Sequence, residues 1–303
     1  MNPALDLIVL QRGWLSSNNI VIGDGEARAV VVDTGYCTHA AQTLSLLQTT
    51  LGKRQLGAIL NTHLHSDHCG GNAQLMAHFQ APLLIPPGQF EAAHEWNEAK
   101  LSFRSTGQRC ERFHPDQRLM PGSTVKLGDG LWHVLAAPGH DPDSIILFES
   151  NNGTLISADA LWEHGFGIVF PELNGKSGFE EVEATLDLIA SLPVALVIPG
   201  HGPTFADMPV AVAEARRRLQ GFRLDPLRHA RYAAKALLKF HMIEVRQQHL
   251  ADLQSWLATT EVHEALWQRH FSPQTIEAWT LEILQDLQRS ESISIVGGMI
   301  LDR

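Results

Sequence analysis

The chain has 303 residues, of which 44% are hydrophobic and 18% charged, with a formal net charge of −10. Such a composition suits a soluble globular protein with a sizeable core. No apolar run approaches the roughly twenty residues of a membrane span, and the acidic balance argues against a broad nucleic-acid surface. The N-terminus shows no basic start followed by a long apolar stretch, so no export signal is expected. Cys37, Cys69 and Cys110 are odd in number and far apart, which reads as reduced thiols in a cytoplasmic protein. The charge is uneven: residues 1–213 carry 11 Lys+Arg against 22 Asp+Glu, and residues 214–303 carry 12 against 11.

In chain order, 5–10, 19–23 and 27–32 read as strands, with a GDG turn at 23–25. Residues 38–51 have helical spacing, with Thr38 placed to cap and Gly52 to stop. A strand at 56–60, a helix at 72–79 and a strand at 82–85 continue an α/β alternation. Residues 86–122 break this rhythm. They hold an expected helix at 89–103 and then turn polar and irregular, which fits either a lid over a site or an ordinary surface helix. Trp96, Phe103, Arg104 and His114 are its candidate contact residues. Hairpins follow at 124–136 and 145–157. The glycine-dotted, aromatic segment 161–170 carries Trp162 and His164 and suits a loop over a site. A helix at 178–192 and a strand at 195–198 end this part. From about 207 the chain reads as helical (208–223, 226–240, 244–257, 262–268 and 273–289), closed by a Gly297-Gly298 hairpin. Two domains are therefore expected, 1–206 and 207–303.

The densest chemistry lies at 61–71, NTHLHSDHCGG, where His63, His65, Asp67 and His68 fall within six residues. Imidazole and carboxylate are the usual ligands of zinc and related metals. Histidines at i and i+2 of an extended segment can share a side, and a tight turn after them re-aims Asp67 and His68. One loop can thus serve two metal ions. His140 (APGHDPDS), Asp159 (TLISADAL) and His201 (VIPGHGP) each follow or close a short apolar run. Cys69 reads as a small buried side chain or, less simply, as a further ligand.

Across 33–201 this pattern resembles the metallo-β-lactamase superfamily in its two-metal hydrolase branch, similar to glyoxalase II. The resemblance implies a four-layer αββα sandwich. It implies that His63, His65 and His140 hold one metal, that Asp67, His68 and His201 hold the other, and that Asp159 bridges them. Asp33, in VVVDTG, would stand behind the ligands. The three helices and hairpin at the C-terminus resemble a winged helix. Their near-balanced charge argues against DNA, so they are read as a wall of the cleft or a contact between two copies. Arg216-Arg217-Arg218 reads as a solvated helix face.

Two cations sharing a hydroxide can attack a carbonyl or phosphoryl centre, with Asp67 orienting the nucleophile and accepting a proton. No GxSxG elbow competes with this scheme. Two divalent metals are expected, zinc by default with iron or manganese open. The expected substrate is a small ester-like molecule, a thioester first. The alternatives are a phosphodiesterase or single-strand ribonuclease, which would need a basic track near the site, a non-catalytic metal-bound regulator, and single-iron oxygenase chemistry.

Overall fold

A computed structural model describes residues 5–25 and 27–303; of the expectations above, only the first four residues of the N-terminal domain and residue 26 fall outside them. The first sheet runs β1 (Leu7–Leu10), β2 (Asn19–Gly23), β3 (Arg28–Val32), β4 (Gln55–Leu60), β5 (Leu83–Ile85) and β6 (Gln117–Arg118), hydrogen-bonded in that order. β1 to β3 form an antiparallel meander, and β3 to β6 are parallel. The second sheet joins β7 (Thr124–Leu127), β8 (Gly130–Ala136), β9 (Ile145–Glu149), β10 (Thr154–Ala158) and β11 (Leu196–Pro199) in the order β11-β10-β9-β8-β7.

Successive strand residues face opposite sides, and both sides are apolar here. Ile20, Ile22, Val32 and Leu60 meet Trp132, Ile145, Leu147 and Ile156 between the sheets. Their neighbours Val21, Val31 and Ile59 turn outward onto Leu47, Leu51 and Leu75 of the helices Ala40–Leu51 and Asn72–Phe79. On the other sheet, Ile146, Phe148, Leu155 and Val197 turn onto Val182, Leu186, Val212 and Ala215 of Phe179–Ser191 and Met208–Leu224. The result is the expected helix–sheet–sheet–helix layering.

The C-terminal part has its own core around Ala233, Leu237, Leu253, Trp279 and Leu284. Its element order is helix Pro226–Val245, strand β12 (Gln247–His249), helices Leu250–Thr259, Glu261–Leu266 and Ile276–Arg289, then the hairpin β13 (Ile293–Val296) and β14 (Met299–Asp302). β14 lies between β12 and β13. Gly297 and Gly298, at φ 58° and 81°, make the turn that glycine alone adopts freely.

Four local expectations are corrected. The helix at 89–103 splits into Phe90–Glu95 and Ser102–Ser105. Trp96 adopts φ 57° and the Asn97 amide closes back on the Ala92 carbonyl at 2.7 Å, which ends the first piece. Segment 86–122, expected to be irregular after its helix, also contributes a strand, since β6 extends the first sheet beside β5. Thr38 does not cap: a single tight turn at Cys37–His39 precedes the helix Ala40–Leu51, whose start has no side-chain cap. The helix expected from 244 begins at Leu250, because Arg246 at φ 66° ends the preceding helix and β12 pairs with β14.

Candidate metal centre

β4 delivers the loop 61–65 to one end of the sandwich, and the turn Ser66–Cys69 re-aims the chain. Asp33, at the end of the adjacent β3, holds this loop from beneath. Its carboxylate accepts from the Thr62 amide (2.9 Å), the Thr62 hydroxyl (2.8 Å) and His68 Nδ1 (2.8 Å). Gly70 and Gly71 follow because nothing larger fits: a Cβ there would lie 2.4 Å from the Cys37 amide nitrogen and 2.5 Å from the Thr34 carbonyl. β8, β10 and β11 run the same way in their sheet and bring His140, Asp159 and His201 to the same end.

All seven expected donors converge. His63, His65 and His140 form one group and Asp67, His68, Asp159 and His201 a second, each with candidate ligand atoms within 4.8 Å of one another. In the first, His65 Nδ1 lies 3.1 Å from His63 Nε2 and 2.7 Å from His140 Nε2. In the second, His201 Nε2 lies 3.1 Å from Asp67 Oδ2. Asp159 Oδ2 stands between the groups, 3.4 Å from both His68 Nε2 and His140 Nε2.

The supporting hydrogen bonds aim lone pairs inward. His140 donates through Nδ1 to the Ile168 carbonyl at 2.6 Å, leaving Nε2 free towards the centre. Asp141 stands 3.7 Å behind His65 Nε2. His68 Nε2 is buried and makes no hydrogen bond to any described residue. Two small residues leave room for the donors: a Cβ on Gly167 would lie 2.4 Å from His140 Nδ1, and one on Gly200 2.2 Å from Asp159 Oδ1.

Electrostatics point the same way. Burial, reinforced by the neighbouring imidazoles, pushes His63 well below its usual range and His65 and His140 down to about 4. These three imidazoles are therefore neutral at ordinary pH, the form in which they could bind a metal. Burial also opposes charge on His68, but the carboxylates of Asp159, Asp33 and Asp67 outweigh it and raise its pKa well above the usual value. The second group thus calls for positive charge. A divalent cation satisfies that demand, and the donor set is the oxygen and nitrogen set such cations take.

A cavity of about 100 Å³ opens over the donors. Trp14, Trp162 and Phe170 line it, with Tyr232, Leu237 and Phe240 of the helix Pro226–Val245 opposite. Trp14 is 60% exposed and stacks on His201 (5.2 Å, 11°). Trp162 packs edge-on to Trp14 and donates from Nε1 to Asp159 Oδ1 at 3.1 Å. Gln108, from segment 86–122, also reaches the cavity.

The other candidates lie elsewhere. Trp96 packs between Phe103 and Phe113 in the first-sheet core, because its left-handed backbone turns the ring inward. Arg104 is exposed on the short helix Ser102–Ser105 and is not among the lining residues. His114 rests on His94. His164 is solvent-facing beside Glu214 (3.3 Å), in an outer groove. Cys69 is buried 3.9 Å from Cys110 Sγ and belongs to neither donor group. Sequence reading missed Trp14, Gln108 and the residues of helix Pro226–Val245. None carries a local signal, since each reaches the site only through tertiary packing.

Comparison with known proteins agrees with this geometry. The family described as the metallo-beta-lactamase superfamily matches residues 12–201. The human acyl-coenzyme A thioesterase MBLAC2 is 27% identical over 65% of this chain and 78% of its own length. A hydroxyacylglutathione hydrolase of Synechococcus is 30% identical over 62% of this chain, a match spanning under two thirds (64%) of that protein. The crystal structure of a beta-lactamase domain protein from Burkholderia ambifaria covers 100% of this chain and 93% of its own, with a TM-score of 0.60 at 19% identity, a likeness of fold. Among the described residues no helix is long and apolar enough to cross a membrane. The chain belongs to the metallo-β-lactamase superfamily and is one of its metal-dependent hydrolases.

Proposed function

We propose that the chain is a dinuclear metal-dependent thioesterase acting on a small-molecule acyl thioester. The observation that carries the dinuclear reading is Asp159, whose Oδ2 lies 3.4 Å from a nitrogen of each donor group. One anionic oxygen placed between a three-histidine group and a second group of mixed imidazole and carboxylate suits two cations better than one. Zinc is the metal we assign, since imidazole with carboxylate is its common ligand set. His63, His65 and His140 would hold the first ion and Asp67, His68 and His201 the second, with Asp159 between them. Bound there, two divalent cations supply Lewis acidity and a water acidic enough to attack at neutral pH.

The chain's own residues do the rest. Asp67, the most exposed carboxylate of the group, faces the cavity and can take a proton at Oδ2. Burial alone would raise its pKa, but His68 and His201 hold it below the usual carboxylate range, so it is ionised and ready to accept. Trp162 fixes the orientation of Asp159. Trp14, Phe170, Leu237 and Phe240 give the acyl chain an apolar bed. We assign 207–303 as a C-terminal unit whose first helix, Met208–Leu224, packs on the second sheet and whose second, Pro226–Val245, walls the cavity. The helix–strand–helix–hairpin order of 226–303, and a core there that Ile168 and Leu173 join, support a winged-helix-like arrangement. The thioesterase and hydroxyacylglutathione hydrolase relatives support the substrate class. A phosphodiesterase or ribonuclease is the second reading, favoured by a basic groove beside the cavity.

The test is thiol release from acyl thioesters by zinc-loaded protein, beside matched lactones and a phosphodiester. Faster turnover of thioesters supports the assignment. Cleavage confined to the phosphodiester overturns it.

A further inference from the structure

Beside the apolar cavity lies a second, much larger depression of about 820 Å³. The helices Met208–Leu224 and Pro226–Val245 form it. Its lining includes five cations, Arg217, Arg218, Arg228, Arg231 and Lys235, against the carboxylates Glu214 and Asp225. Among the described residues Arg217, Arg228 and Arg231 form no ion pair, whereas the flanking Arg216 and Arg223 are paired with Asp187 and Glu183. In a chain of net charge −10, a concentration of unpaired arginines at one groove is a local reversal of sign.

The groove adjoins the metal-centre cavity. Tyr232 lines both. Trp162 lines the cavity and His164, two residues on, lines the groove. Arg228 sits one helical turn before Tyr232, a rise of about 6 Å along the helix axis. A ligand with its reactive group over the donors therefore passes Tyr232 and meets Arg228 and Arg231.

We infer that this groove binds the phosphate-bearing arm of the substrate: a nucleoside diphosphate joined to the thiol carrier, with the acyl group in the cavity. Guanidinium groups pair with phosphate through two parallel hydrogen bonds. Three unpaired arginines match one diphosphate. A peptide carrier with two carboxylates and an ammonium would leave most of that charge uncompensated. A nucleic-acid strand is the poorer fit. Single strands are held by open aromatic faces as well as by cations, and here Arg218 already covers Tyr232, 4.2 Å from its ring centre, and lies 5.5 Å from that of Phe222. In the reaction, water adds its oxygen to the carbonyl carbon and the C–S bond breaks. The products are a carboxylate, the free thiol and one proton, and the thiol leaves with its phosphates along the groove. The assignment of the reactive end rests on the thioesterase reading; the groove's affinity for phosphate does not.

The experiment uses zinc-loaded full-length protein and the double variant Arg228→Gln/Arg231→Gln, both side chains being exposed. Each is given one acyl group on two carriers: coenzyme A, which bears the diphosphate, and neutral N-acetylcysteamine. In parallel, binding of adenosine 5′-diphosphate and of a ten-nucleotide single-stranded RNA is measured by calorimetry. The expected result is a preference for the phosphorylated carrier that falls about ten-fold or more in the variant, through KM, with adenosine diphosphate binding weakened to match. Wild-type binding that weakens as salt rises from about 50 to 200 mM supports the same assignment. If neither thioester turns over but diphosphate binding is lost in the variant, the groove assignment stands and the thioesterase reading fails. If thioesters turn over with an unchanged carrier preference and unchanged diphosphate binding, the groove assignment is overturned and the thioesterase reading stands. RNA binding about ten-fold or more tighter than the diphosphate also overturns it.

Discussion

Asp33 and His68, thirty-five residues apart in sequence, meet at 2.8 Å, Oδ2 to Nδ1, beneath the second donor group. The contact turns His68 Nε2 towards Asp159. Asp33→Asn keeps a residue that tolerates the φ of 59° required there but removes the charge behind the imidazole. We expect metal affinity to fall by roughly 10- to 100-fold, the usual effect of losing a group that orients a ligand. Competition with a chromogenic chelator measures it. Unchanged affinity would make Asp33 a backbone support only, through its bonds to Thr62.

Gly200 tests the geometry from the other side. Gly200→Ala puts a methyl group 2.2 Å from Asp159 Oδ1 and 2.9 Å from His68 Cε1. The carboxylate must shift, and with it the oxygen that stands between the two groups. Loss of about one metal equivalent with an otherwise folded protein is the expected outcome, read by elemental analysis and circular dichroism. Full metal content would show that Asp159 can be displaced without cost.

Trp14 tests the cavity. Its ring is 60% exposed yet stacked on His201 and edge-on to Trp162. An aromatic contact of this kind contributes about 0.5–1.5 kcal/mol. Trp14→Ala should therefore raise KM for long-chain acyl thioesters by roughly two- to ten-fold with little change in metal content. An equal effect on short and long acyl chains would mean that Trp14 steadies His201 rather than the substrate.

Two buried histidines outside the donor groups set an acid limit on stability. Burial pushes His229 down to about 4 and His263 down to about 3. The unfolded chain binds protons at these positions from about pH 6.5 downward, where the folded chain does not. Stability from this source is full above about 6.5, falls progressively as pH drops below it, and is gone by about 4 for His229 and about 3 for His263. Neither nitrogen of His263 has a hydrogen-bond partner among the described residues, so an apolar replacement strands no polar neighbour. His263→Leu should narrow the gap between the thermal midpoints at pH 7 and pH 5. A gap identical to wild type would place the acid sensitivity elsewhere.

The seven donors were legible because each falls on a short motif at the end of an apolar strand, where chemistry and punctuation coincide. Asp33 was legible for the same reason. Trp14 was not, because its place on His201 depends on the segment before β2 meeting the end of β11, where the Asn18 amide reaches the Gly200 carbonyl at 2.7 Å. The cavity wall on Pro226–Val245 was visible as a helix, but not which elements its face would meet. Trp96 misled: an aromatic in an irregular segment suggests a lid, yet the left-handed turn at that residue sends the ring into the core. The basic run at 216–218 reads as a solvated face in isolation. It becomes part of a groove only when the next helix folds back with Arg228 and Arg231.

The central claim is that two metal ions are held by these seven side chains. Elemental analysis of protein purified without chelator, beside His65→Ala, tests it most directly. Wild-type protein should hold about two equivalents of metal, and His65→Ala, still folded, should lose metal from the three-histidine group together with turnover. No metal after reconstitution with zinc, or normal activity in His65→Ala, would contradict it.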